Sequence, residues 1–169
     1  MGIKEIKKEL LSKDKEELVK QILELYKKYS PVKEYFDFYL NPNEGELYEK
    51  YKEKVREGFY PKKGYQLKLS ISRQAISDFR KLEVSKERLG ELLLYFVECG
   101  VEYTNDFGDI DEQFYLSIEN AFGDSLKLLE GDDVLEKYKE RAEKVVDDSE
   151  RTGWGFYDSL LEIYDNFYL

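Results

Sequence analysis

Residues 89–97, LGELLLYFV, are the stretch that most narrows what this chain can become. Ser85 is placed to cap a helix running to about Tyr103. At about 100° per residue, the middle of that helix is apolar on nearly every side. Such a helix is stable only when other elements surround it. It is expected to be the central helix of the fold.

The rest of the chain supplies one-sided helices to surround it. Ile3, Ile6, Leu10 and Leu11 share one face of a short first helix. Asp14 followed by Glu17 reads as a capping box. The helix after it runs to about Tyr29, with Leu18, Val19, Ile22, Leu23, Tyr26 and Tyr29 on its apolar face. Ser30-Pro31 closes that helix and opens the next. Ser72 is placed to cap a helix carrying Ala75, Ile76, Phe79 and Leu82. Asp109 with Glu112, and Asp133 with Glu136, have capping-box spacing ahead of two further stripes. After the break TGWG, a last helix carries Trp154, Tyr157, Leu160, Leu161, Tyr164, Phe167 and Tyr168 on one side. These spacings predict an all-α fold of about nine helices in antiparallel hairpins. The arrangement is an irregular bundle or a short solenoid-like superhelix, in a single domain spanning 1–169.

Two stretches ask for a separate reading. In 58–72, two glycines and a proline mark a loop. Tyr65, Leu67, Leu69 and Ile71 then alternate with polar residues, which predicts an extended segment near 65–71. It either lies on the helices or offers an unpaired edge to a second chain. The second stretch is VKEYFDFYLNPNEGELYEKY, residues 32–51. Val32, Tyr35, Phe36, Phe38, Tyr39 and Leu40 fall in one broad helical arc. Asn41-Pro42 ends that helix, and Asn43 with Glu46 caps the next, where Leu47, Tyr48, Tyr51 and Val55 form a narrower stripe. A nucleic-acid platform would pair its aromatics with Arg and Lys, and these faces carry none. The two stripes are expected to pack on each other as core.

Charge separates the halves. Residues 1–84 hold 19 Lys/Arg against 15 Asp/Glu, and residues 85–169 hold 8 against 22, within a total of −10. A basic half beside an acidic one is read as mutual electrostatic complement, and the acidic half disfavours nucleic acid. Lys62, Lys63, Lys68 and Arg73 make one locally basic region that could contact phosphates. The longest apolar run, LLLYFVECGV, is too short for a bilayer and contains Glu98. The lysine-rich N-terminus has no apolar leader core. A cytoplasmic protein without membrane contact is expected.

The absence of histidine excludes Ser-His-Asp and Cys-His triads and histidine-ligated zinc. A single cysteine, Cys99, excludes an internal disulfide and reads as a small buried apolar residue. No phosphate-binding glycine loop occurs. NDFGDIDEQF, residues 105–114, fails the calcium-loop template. What survives is carboxylate chemistry with a hard divalent metal. Glu140 and Glu143 are three apart on one predicted helix, and Glu162 and Asp165 repeat the spacing on the next. Antiparallel pairing of those helices would let four carboxylates converge on magnesium and a phosphate. The pattern is similar to that of the all-α nucleotide pyrophosphohydrolases over those four positions only. The simpler reading is a solvated acidic face.

One resemblance is broader. KKELLSKDKEELVKQILELYKK, KEYFDFYLNPNEGELYEKYKEKV and KLSISRQAISDFRKL together resemble a family of small bacterial cytosolic proteins of unknown function. The likeness is strong over 5–83 and looser over the remainder, and YFDFYLNPNE is its most specific part. It implies an all-α fold and a bacterial cytoplasm, and no activity or site residue. The function expected is a non-enzymatic protein–protein interaction module with no cofactor, working through a helical surface edged by 60–73. The alternative is a magnesium-dependent hydrolase of nucleotides or other phosphorylated small molecules, using Glu140, Glu143, Glu162 and Asp165.

Overall fold

A computed structural model describes residues 2–64 and 66–169. Nine α-helices form among them: α1 (Ile3–Leu11), α2 (Lys15–Lys28), α3 (Ser30–Leu40), α4 (Glu44–Phe59), α5 (Leu69–Lys81), α6 (Lys86–Phe107), α7 (Glu112–Glu130), α8 (Lys139–Asp148) and α9 (Phe156–Tyr168). A 3-10 turn at Leu135–Tyr138 leads into α8. No strand occurs among the described residues. None of these helices is long and apolar enough to cross a membrane. The chain divides into two compact units, one up to Asn43 and one from Glu44 to Leu169.

Local chemistry starts several helices where the sequence places them. Asp14 Oδ1 accepts from the Glu17 N–H at 2.8 Å, and Glu17 Oε2 accepts from the Asp14 N–H at 3.0 Å, closing the predicted box. Ser85 Oγ accepts from the Arg88 N–H at 3.3 Å. Ser85 is itself held by Glu44, whose carboxylate accepts from its N–H at 2.7 Å and its hydroxyl at 2.6 Å. This ties the start of α4 to the start of α6. Gly108, at φ 85°, stops α6 four residues beyond the expected end, in a backbone region that suits only glycine.

The second unit is a bundle around α6, which packs against α4, α5, α7 and α8. Leu92, Leu94 and Val97 of α6 are fully buried, as are Ile118, Phe122, Leu126 and Leu129 of α7. Each such side chain contributes about 1.5–3 kcal/mol through removal from water. Phe59 anchors an aromatic cluster, with ring centroids 5.2 Å from Phe96 and 6.5 Å from Phe114. The α6–α7 contact is close because α6 carries glycines. A Cβ on Gly100 would fall 2.5 Å from Ile118 Cδ1. Buried hydroxyls stitch the crossings: Ser125 Oγ donates to the Gly90 carbonyl, and Ser72 Oγ to the Val55 carbonyl, each at 2.7 Å. Cys99 is fully buried, and burial pushes its thiol up to about 11.

Several local expectations are corrected. The extended segment expected at 65–71 is helical from Leu69 onward, and Tyr65 lies outside the described residues. Ser72, Ala75, Ile76 and Phe79 are the buried positions, which is helical spacing. The alternation at 65–71 was a coincidence of composition, and the strand-edge reading falls with it. Ser72 lies inside α5 and does not cap it. Asp109 does not cap α7. Asp111 does, accepting from the Phe114 N–H at 2.8 Å. Asp133 sits at φ 56° in a turn, and no side chain caps the 3-10 turn that follows. Trp154, expected on the apolar side of the last helix, lies in the turn before α9 at φ 60° and is exposed.

Candidate docking surface

The first unit contrasts with this bundle. No side chain of α1, α2 or α3 is buried. The aromatic arc of 32–40, expected to be core, is therefore corrected: Tyr39 is 69% and Leu40 68% exposed. Phe36 and Phe38 are half-buried. The rings of α3 meet α2: Phe36 lies edge-on to Tyr26 at 6.4 Å. The Tyr26 hydroxyl donates to Asp37 Oδ1 at 2.7 Å. Lys33 pairs with Asp37 and sits over the Tyr26 ring at 5.2 Å. Two short helices packed on each other cannot enclose a core.

Seventeen large apolar side chains are exposed among the described residues, and twelve of them lie between Ile3 and Leu40. Scattered exposed leucines are ordinary, whereas a concentration on one element marks an interaction surface. On α2, Val19 and Leu23 form an exposed apolar strip flanked by Lys15, Glu16, Lys20, Glu24 and Lys27. The unit up to Asn43 carries nine lysines and eight acids, for a net charge of +1; the rest of the chain carries −11.

The residues singled out from sequence lie in the second unit. Lys62 and Lys63 occupy the turn after α4, Lys68 precedes α5 and Arg73 lies on it; all four are exposed. Glu140 and Glu143 lie on α8, and Glu162 and Asp165 on α9. The two helices pack against each other. Glu140, Glu143 and Glu162 are exposed and Asp165 is half-buried. Among the described residues, no three Asp, Glu or Cys side chains come together as a metal cage would require.

A charged network across α6 and α8 was not foreseen. Arg141 forks onto Glu98 at 2.8 and 3.0 Å and reaches Glu91 at 3.3 Å. Arg88 completes it, 2.7 Å from Glu91. The signal was present: Glu91 and Glu98 are seven apart, so they form an acidic stripe on an otherwise apolar helix. Beside it, Arg56 forks onto Glu102 at 2.8 and 2.9 Å, which lowers the Glu102 pKa below its ordinary value. Asp109 accepts from the Gly153 N–H at 3.0 Å and the Tyr115 hydroxyl at 2.8 Å, and these bonds depress its pKa. It borders an acidic cleft of about 580 Å³ with Asp147, Asp148 and Arg151. Its donors are structural, tying the 149–155 turn to α7.

A family comparison matches residues 1–168. The chain belongs to a family of unknown function, DUF6155. Its extent exceeds the 5–83 stretch that carries the sequence resemblance, so both units are part of the family's common chain. No curated protein and no solved structure matches.

Proposed function

We propose that this member of the family is a non-enzymatic protein–protein interaction module whose working surface is the apolar face of α1–α3. The observation that carries the reading is the concentration of twelve of seventeen exposed large apolar side chains between Ile3 and Leu40. Exposed apolar surface costs free energy in water, and covering it is the driving force of association. The exposed strip of Val19 and Leu23, flanked by both signs of charge, has the composition of a helix-packing face. A bacterial cytoplasm as the place of action belongs to the same proposal, supported by the sequence resemblance over 5–83.

The test is a photo-crosslinking amino acid placed at Leu23 and, separately, at Lys62 in the full chain inside cells. Crosslinking to protein at position 23 and not at 62 is expected. Equal or absent crosslinking at 23 would sink the reading.

A second reading is the magnesium-dependent hydrolase. It is favoured by the packing of α8 on α9. Magnesium needs only one or two protein carboxylates when a phosphate supplies the rest. Calorimetric titration with magnesium and a nucleoside triphosphate decides it. Stoichiometric binding lost in Glu143→Gln supports this reading, and a flat titration removes it.

A further inference from the structure

We propose that the partner covering the apolar face of α1–α3 is the same face of a second copy of this chain, so that the protein is a symmetric dimer joined through its N-terminal unit. This rests on the interaction reading above and adds the identity of the partner.

Three observations carry it. The first is charge. Two copies meeting through the second unit would bring together bodies of −11 each, whereas the first unit is +1 with interleaved Lys and Glu. It is the one unit that can face itself without like-charge repulsion. A two-fold contact places the same patch on both sides, so it needs a surface that is its own electrostatic complement. The α2 face around Val19 and Leu23, with Lys15, Lys20 and Lys27 beside Glu16 and Glu24, is such a surface.

The second is area. At roughly 150–200 Å² per large apolar side chain and about half exposure, the eight from Val19 to Leu40 present on the order of 700 Å². A stable interface covers about 800 Å² per partner.

The third is helix count. α2 and α3 pack on each other and bury nothing. Two helices present an open apolar face, and a second pair laid on it makes the four-helix arrangement that encloses one. The half-buried residues Leu18, Tyr26, Phe36 and Phe38 would then become core.

Sedimentation equilibrium of the full chain tests this at concentrations up to about 200 μM, within the range where a micromolar dimer is populated. The unsubstituted protein is expected to be a dimer. Leu23→Asp, at a site 50% exposed, and Tyr39→Asp, at one 69% exposed, are each expected to weaken it at least about tenfold, because each substitution acts twice in a two-fold contact. Lys62→Asp should leave it unchanged. Neither apolar position is buried, so retained helical circular dichroism in both variants separates lost association from lost folding. A monomer at every concentration overturns the proposal, and so does a dimer indifferent to both substitutions. A monomer whose Leu23 crosslinker captures a different protein overturns self-pairing and leaves the interaction reading standing. A monomer that captures nothing overturns both.

Discussion

The stripe of Leu18, Ile22 and Leu25 on α2 and the stripe of Ile118, Phe122, Leu126 and Leu129 on α7 obey the same helical period. In α7 every one of those side chains is fully buried; in α2 none is. All 31 buried apolar residues of the core lie at position 47 or beyond. The difference is supply of neighbours. α7 lies along α6, a helix apolar on nearly all sides, and further helices close the other faces. α2 has one short partner. Amphipathic periodicity therefore states that a helix has a face to cover, and says nothing about what covers it.

The sharpest way to break the contrast is to separate the units. A fragment of residues 44–169 should melt cooperatively and keep its helical circular dichroism. A fragment of residues 2–43 should be largely unfolded at dilutions where it does not pair with itself, because short helices without packing are marginal in water. A cooperative transition in the short fragment alone would show that it has a core of its own.

Within the full chain, Phe122→Ala should destabilise by about 3–5 kcal/mol, through lost burial and the cavity left between α6 and α7. Chemical denaturation measures it. A loss below about 1 kcal/mol would mean that the bundle repacks freely, which native packing density does not allow.

An intermediate effect is set by pH. Hydrogen bonding to Arg56 lowers the Glu102 pKa, and hydrogen bonding to Lys137 lowers that of Glu87. A carboxylate depressed in the folded state adds stability above its ordinary value, and that contribution disappears as pH falls through the folded value. Stability should therefore drop as pH is taken below about 4, and Glu102→Gln should flatten the drop. Both carboxylates are partly exposed, so salt should shrink the effect. An identical pH profile in the variant would remove the Arg56–Glu102 fork from the account.

The smallest effect on folding is expected in the first unit. Leu23→Asp should change monomer stability by no more than about 0.5 kcal/mol, the range of surface substitutions, measured at dilutions where association is absent. A loss comparable with that of Phe122→Ala would mean that Leu23 is covered within the monomer.

The sequence by itself determined the helices, and it did so through interactions closed within a few residues. Asp14 and Glu17 are three apart, so their reciprocal hydrogen bonds depend on nothing distant; Ser85 and Arg88 are the same case. The central place of α6 was also legible, because no one-sided environment satisfies an apolar run on every face. The lack of histidine removed whole classes of chemistry before any fold was known. The tertiary structure decided the rest. Ser72 and Asp109 have the chemistry of caps, yet each found a partner from far along the chain, the Val55 carbonyl and the Gly153 N–H. A short polar side chain takes whichever donor or acceptor the fold brings within about 3 Å. The aromatic arc of 32–40 has the composition of a core and lies on a surface, because burial belongs to the elements that arrive around a helix and not to the helix itself. That same fact is what makes α1–α3 the place to look for a partner.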